Sequence, residues 1–429
     1  MQPERIIVSR TDRAGDFILT LPVFRELKKA FPQSCLCAHV RSYTAPLARL
    51  AGEIDEIILD DSYPAGLWCS PLAEDFRKKR FDLAVIVHPA GRSVLATWRA
   101  GIRRRVGRAS NVFQLFLNDR RVIDLPWLAQ KLLVNLIIVP FRAPKSSKLY
   151  HRLWTDDGSP LLVYSEQLKE KLQQSLGGGF EVFIGMRYGQ PALSNVLEEI
   201  RSQGFGKIVV VPLFPQYASS TTGTVAEAVM RQASRWYVMP EIRIIPQFYD
   251  HPLMVEAFAD RARHYDLASY DHILFSYHGL PNRQVDKTHP GIETRECTCS
   301  EKMPEHGHFC YRATCYETTR RIAGRLNLPA ERYSVAFQSR LTNNWLEPFS
   351  DEVIRQQAKA GAKRILVLAP SFVADCLETI VEIGYEYDEI FRELGGEKVE
   401  LVPSLNDHPL WVETLRELVL AESCPTGDN

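Results

Sequence analysis

The residues with the most evident chemical potential form an acidic row: Asp375, Glu378, Glu382 and Glu386. On an α-helix these four positions fall within roughly 80° of one another, a single stripe. Leu377, Ile380, Val381, Ile383 and Tyr387 occupy most of the remaining circumference. Such a helix either lines an internal cavity with its acids or turns them to water as the wet side of an amphipathic surface helix. In a cavity, ionised carboxylates need a cation, a proton or a hydrogen bond to compensate them, which points to a metal path or a proton relay. His278 stands near the end of the apolar run HILFSYHGLP, just before Gly279 and Pro281. Its imidazole, with an ordinary pKa of about 6.5, is suited to accept protons at neutral pH, although a lone histidine at a strand end is more often structural than catalytic. Cys297, Cys299, Cys310 and Cys315 lie in TRECTCSEKMPEHGHFCYRATC. Four thiolates match the count for a structural zinc or a [2Fe-2S] cluster, with His306 and His308 as substitutes, and the C-x-C spacing is unlike the usual C-x-x-C zinc knuckle.

Positioning these groups requires a scaffold, and the chain alternates short β-branched runs with helix-length amphipathic segments, the pattern of an α/β protein with parallel sheets. Strands are expected at Ile6–Ser9, Leu83–Val87, Val182–Gly185, Ile208–Val211, Ile242–Ile245, Ile273–Ser276, Val335–Phe337 and Ile365–Leu368. Helices are expected at Phe24–Phe31, Ala192–Gln203, Leu253–His264, Tyr311–Leu326, Glu352–Ala360, Asp375–Leu394 and Leu410–Leu420. His278 then lies at the carboxyl end of a strand, where ligands bind in open parallel sheets. No internal repeat is read from the text. The basic, weakly periodic AGIRRRVGRASN marks a break, giving domains 1–111 and 112–429, with a softer joint in the DDGSP turn near Asp156–Pro160.

Beyond these patterns, GMRYGQP (Gly185–Pro191), VPLFPQYASSTTGT (Val211–Thr224), SYHGLP (Ser276–Pro281), AFQSR followed by Trp345, and APSFVADCLETIVEIGYEYDEIF (Ala369–Phe391) occur in ferrochelatase order. FLNDRRVIDLP and PFRAPKSSKLYHRLWTDDGSPLL resemble that family's N-terminal portion, so the resemblance covers about three quarters of the chain. It implies two Rossmann-like halves and a lyase of haem biosynthesis that inserts Fe²⁺, a substrate here, into protoporphyrin IX. His278 corresponds to the family's active-site histidine and Glu378 to the facing carboxylate, while Asp375, Glu382 and Glu386 match its acidic metal path. Arg187, Tyr188, Gln216, Tyr217, Ser219, Thr221, Arg340 and Trp345 fall in motifs that line or brace the porphyrin cleft in relatives. Plain turn chemistry is the competing reading for several of them, Ser219 and Thr221 above all. Some bacterial ferrochelatases carry a cysteine-rich insertion that binds [2Fe-2S], which favours that cluster at Cys297, Cys299, Cys310 and Cys315. Leu132–Phe141, flanked by Lys131, Arg142, Lys145 and Lys148, resembles the apolar lip of the cleft. Such a ringed patch either packs internally or rests peripherally on an anionic membrane. The family's opening strand and its Asn-Leu-Gly-Thr-Pro loop have no counterpart before Val112. Either the preceding segment supplies a substitute strand, or the first sheet has a gap.

The first hundred residues are of another kind. RIIVSRTDRAGDFILTLPVFRELKKAF, DLAVIVHPAGRS and AGIRRRVGR resemble the first half of family 9 glycosyltransferases, the lipopolysaccharide heptosyltransferases, with Asp16 matching the proposed base. A helix-capping acid in a generic βα loop is the plainer alternative for Asp16. The second nucleotide-sugar domain that such transferases need has no counterpart. A rival to the main reading is therefore a glycosyltransferase-like segment fused to a porphyrin-binding pseudoenzyme crippled by the absent strand.

Bulk properties set outer limits. The 52 basic and 52 acidic residues balance, which disfavours nucleic acid as the main partner. No signal-peptide layout opens the chain, and the apolar run Leu132–Phe141 is far shorter than the roughly 20 residues a membrane-spanning helix needs. A cytoplasmic protein, with peripheral contact to the inner membrane, is the expectation. The remaining cysteines, Cys35, Cys37, Cys69, Cys376 and Cys424, read as buried or incidental thiols.

Overall fold

The computed structural model describes residues 3–12, 14–64, 70–87, 91–102, 104–107, 116–124, 130, 159–289 and 291–423. The expected lip, Leu132–Phe141, lies outside them. The chain forms two compact units, one of Met1–Leu115 with Ile137–Pro144 and one of Phe116–Leu136 with Lys145–Asn429.

In the first unit, β1 (Arg5–Ser9), β2 (Cys35–Val40), β3 (Glu56–Leu59), β4 (Leu83–Ile86) and β5 (Arg104–Gly107) form a parallel sheet of order β3-β2-β1-β4-β5. Successive strand residues point to opposite faces, so Ile6, Val8, Leu36 and Ala38 join one core with Phe17 and Phe24. Ile7, Cys37 and Ala84 join the other with Leu72 and Phe76. Burial on both faces is what a parallel sheet requires. β2, β3 and β5 are absent from the expected strands. CLCAHV carries only one β-branched residue, and its strand state comes from pairing between β1 and β3.

In the second unit, β8 (His272–His278), β9 (Tyr333–Gln338), β10 (Arg364–Leu368) and β11 (Lys398–Leu401) form a parallel sheet of order β11-β10-β8-β9. β6 (Lys207–Val210) pairs in parallel with β7 (Glu241–Ile244) alone among the described residues. The two sheets belong to a repeated pattern, contrary to the expectation of no internal repeat. β6, the helix Thr222–Ala233, β7 and the helix Pro252–Arg263 match β10, the helical stretch Glu378–Glu393, β11 and the helix Pro409–Ser423 in order. DHPLMVE (Asp250–Glu256) recurs as DHPLWVE (Asp407–Glu413) at the start of the matching helices. Phe248 and Trp411, ring centroids 5.5 Å apart, join the two halves in a shared core.

The repeat explains why Val182–Gly185 is not the strand expected of it. Its counterpart β9 pairs with β8, and no counterpart of β8 stands among the described residues of the first half. Val182–Gly185 therefore carries no ladder, although Phe183 still packs beside Phe205 and the β6 core. The helix expected over Asp375–Leu394 is also altered: Glu378–Tyr387 is a π-helix, followed by an α-helix over Asp388–Glu393. Its i→i+5 turn keeps residues four apart close to one face, so the acidic stripe survives, and π-helical turns are frequent at functional sites. Among the described residues no helix is long and apolar enough to cross a membrane.

Candidate active site

His278 is the last residue of β8 and stands in register with Gln338, the last of β9. Three connections build a site around this end of the sheet. The hydroxyl of Ser371, just after β10, lies 3.2 Å from the His278 amide nitrogen. Tyr311 donates its hydroxyl to the His278 carbonyl at 2.9 Å. Gln338 Nε2 donates to the Glu378 carbonyl at 2.9 Å, tying the first turn of the π-helix to the strand beside His278. His278 and Glu378 therefore belong to one end of one sheet, and both are half-buried.

The ring of His278 has a defined tautomer. Nδ1 lies 2.7 Å from the Gly279 carbonyl, which can only accept, so Nδ1 carries hydrogen and the neutral ring keeps its lone pair at Nε2. Trp345 and Phe372 flank it with ring centroids at 6.5 and 6.3 Å. Gly279 permits this arrangement. A Cβ there would sit 2.8 Å from the Gln338 carbonyl oxygen and 3.2 Å from Trp345 Cε3.

Burial grades along the acidic stripe, from buried Asp375 through half-buried Glu378 and Glu382 to exposed Glu386. Their partners differ as much as their exposure. Asp375 accepts from the Ser404 amide at 3.0 Å and the Asn406 side chain at 2.8 Å, with Thr379 at 3.4 Å. These bonds tie Asp375 to the segment that follows β11 and brace the start of the helix. Glu382 accepts from the Ser339 amide and hydroxyl at 2.8 and 2.5 Å, Tyr387 at 3.0 Å and Gln338 at 3.3 Å. Glu378 has the Cys376 thiol beside its carboxyl. Desolvation, then the negative charge of Glu382 and Glu389, raises the pKa of Glu386.

The residues expected to line or brace a porphyrin cleft fall into separate groups. Arg187 pairs with Asp119 at 2.5 Å and stacks over the Tyr188 ring at 4.6 Å, while the Tyr188 hydroxyl also reaches Asp119 at 2.9 Å. Arg121 holds Ser219 at 3.0 Å. Gln216 is buried on Thr318 at 3.0 Å, Tyr217 packs edge-on against Phe309, and the Thr221 hydroxyl donates to the Ala218 carbonyl. Arg340 is drawn to Glu352 and Asp351, at 2.8 and 3.2 Å, and lies over Phe349, so it braces the next helix. Of this set Trp345 has its ring beside His278, at 6.5 Å between centroids. Asp119 and Gln338, which are not among the expected site residues, organise these groups; both stand inside motifs that carry the family resemblance, FLNDRR and AFQSR.

Asp16, in the first unit, forms an ion pair with buried Arg10 at 3.2 Å. In the cysteine-rich insert, Cys297, Cys299, Cys310 and Cys315 are all buried free thiols. The hydrogen bond from Cys299, opposed by burial and aided by the Ala313 amide, lowers the pKa of Cys310. His289, absent from the expected donors, is buried among them with Nε2 at 2.8 Å from Cys310 Sγ.

The ferrochelatase family model matches residues 107–423. The chain belongs to the ferrochelatase family. A ferrochelatase from Legionella pneumophila (strain Paris) is 41% identical over 305 residues, covering 71% of this chain and 91% of that protein. Among solved structures, the sirohydrochlorin chelatase SirB from Bacillus subtilis subspecies spizizenii in complex with cobalt matches with a TM-score of 0.42 and 15% identity, over 64% of this chain and 94% of that one. The glycosyl transferase family 9 structure from Veillonella parvula DSM 2008 matches with a TM-score of 0.23 and 14% identity, over 76% of this chain and 98% of that one.

Proposed function

We propose that this ferrochelatase-family chain is a lyase that inserts Fe²⁺ into protoporphyrin IX to form haem. The observation that carries the reading is His278, its Nδ1 fixed on the Gly279 carbonyl and its Nε2 left basic, at the sheet end to which Gln338 ties Glu378. Two pyrrole protons must leave the ring as the metal enters. His278 Nε2 accepts one, and the Glu378 carboxylate serves as the facing acceptor and as a hard oxygen ligand for the incoming cation. Glu382 and Glu386 extend that acidic file toward solvent, giving the cation successive oxygen partners on its way in. An anaerobic insertion assay with protoporphyrin and Fe²⁺ tests the proposal. His278→Ala is expected to lower turnover by about 10²- to 10⁴-fold, and full activity in that variant overturns the assignment.

Two finer features belong to the same proposal. Leu132–Phe141 with its basic flanks rests peripherally on an anionic membrane surface, to be tested by sedimentation with anionic and neutral vesicles. The insert holds a [2Fe-2S] cluster, to be tested by the visible spectrum of anaerobically purified protein. All four expected thiols are buried together, which supports it: Cys299 is hydrogen-bonded to both Cys297 and Cys310, and Cys315 lies close enough to Cys299 and Cys310 for their charges to interact.

A further inference from the structure

The cysteine-rich insert ends in the run His308-Phe309-Cys310-Tyr311, which engages both halves of the second unit. On one side of Cys310, Tyr311 donates to the His278 carbonyl at 2.9 Å and also hydrogen-bonds Ser371, whose hydroxyl lies 3.2 Å from the His278 amide nitrogen. On the other side, Gln247, just beyond β7, donates through Nε2 to the His308 carbonyl at 2.7 Å. The same side chain accepts from the Tyr217 amide at 3.4 Å, and the Tyr217 ring meets Phe309 edge-on with centroids 5.7 Å apart. Phe309 is 49% exposed although Cys310 and Tyr311 beside it are buried, so its ring adds little to the core. The turn that presents it is tight. A Cβ at Gly307 would sit 2.8 Å from Pro304 Cδ, and the Gly307 carbonyl accepts from the Cys310 amide at 3.0 Å. The repeat shows where Tyr217 stands. Followed back without a gap from DHPLMVE and DHPLWVE, it sets Val211–Thr221, after β6, against Leu368–Glu378, at the end of β10. The second of these segments carries Ser371 beside His278 and ends at Glu378. Tyr217 therefore lies at the equivalent carboxyl end of the first half's strands, where ligands bind in open parallel sheets.

We propose that this run braces the two halves of the site against each other: Phe309, together with Gln247, is a positioning residue that holds Tyr217 for porphyrin binding, and Tyr311 is a positioning residue that holds His278 for proton transfer. The inference rests on the metal-insertion reading given above and deepens it by giving the insert a mechanical part in the reaction. The two contacts act on different steps. Tyr217 bears on how tightly the porphyrin is held, whereas His278 bears on how fast its protons leave once it is bound. A chain segment that only kept the fold together would lower stability and move both kinetic parameters in company. The ring pair between Phe309 and Tyr217 is the weaker of the two links, and the hydrogen bond to the His278 carbonyl is the more directional.

The test uses the full chain, with steady-state iron insertion into protoporphyrin and a separate fluorescence titration of porphyrin binding without iron. Phe309→Ala is expected to raise the porphyrin KM and Kd by about 3- to 10-fold with kcat within about twofold, and Phe309→Tyr, which keeps the ring, should restore both. Gln247→Leu, a change outside the insert, should raise KM and Kd in the same direction. Tyr311→Phe is expected to lower kcat by about 5-fold with the porphyrin KM within about twofold. Unchanged KM and Kd in both Phe309→Ala and Gln247→Leu, an unchanged kcat in Tyr311→Phe, or kcat and KM shifting together in all three overturns the brace. An unsubstituted chain that binds porphyrin and inserts no iron overturns the metal-insertion reading instead.

Discussion

Replacing Gln338 with methionine probes how firmly the acid-bearing helix is held to the histidine strand. Gln338 is 1% exposed. Its carbonyl accepts from Ser276 at 2.7 Å, while its amide donates to the Glu378 carbonyl at 2.9 Å and to Glu382 at 3.3 Å. Methionine matches its length and makes none of these bonds. Three lost bonds at about 1 kcal/mol each give about 3 kcal/mol, an upper value because Ser276 keeps Ser350 and Glu382 keeps Ser339 and Tyr387. Displacing Glu378 by about 1 Å from its working position is expected to cost about 100-fold in turnover. The porphyrin KM should move far less. Urea midpoints and steady-state iron insertion measure the two effects separately. A variant with wild-type turnover refutes the claim that Gln338 positions Glu378, even if its stability falls. Gln338→Glu sharpens the test. It keeps an acceptor for Ser276 but sets a carboxylate against the Glu378 carbonyl and Glu382, so it should be worse than methionine at neutral pH and recover as acid protonates it.

Other perturbations follow the same logic. Gly279→Ala drives its new methyl into the Gln338 carbonyl and Trp345, and should cost about 1–3 kcal/mol by thermal melting together with a lower kcat. Burial pushes the Asp124 carboxyl up, but hydrogen bonds from Arg283, Lys287 and Gln284 outweigh it and hold the pKa at about 2. Its contribution is complete above the ordinary carboxylate pKa and fades as pH falls toward about 2; with Arg283 and Lys287 exposed, Asp124→Asn should cost about 1 kcal/mol in urea at pH 7. Burial, then Arg332, lowers the His272 pKa from 6.5 to about 4. The unfolded chain takes up that proton below pH 6.5 while the folded chain does not, so stability falls between these values, and His272→Gln should remove about 3 kcal/mol of that loss when urea midpoints at pH 7 and pH 4 are compared.

Local pattern was enough to place β1, β4, β8, β9 and β10, because their β-branched and apolar runs are short, bounded by turns and buried on both faces. It also put His278 at a strand end and Glu378, Glu382 and Glu386 on one stripe, since both statements depend only on period and position. Partner choice was beyond it. Which donors hold each carboxylate depends on residues distant in sequence: Asp375 is held by Ser404 and Asn406, Glu382 by Ser339. β2 and Val182–Gly185 show the same limit from opposite sides. A run of weak β-formers becomes a strand between two neighbours, while a run of strong ones carries no ladder where none of the described residues pairs with it. Hydrogen-bonded ladders and hydrogen-bonded carboxylates are properties of pairs, and the second member of each pair is supplied by the folded chain.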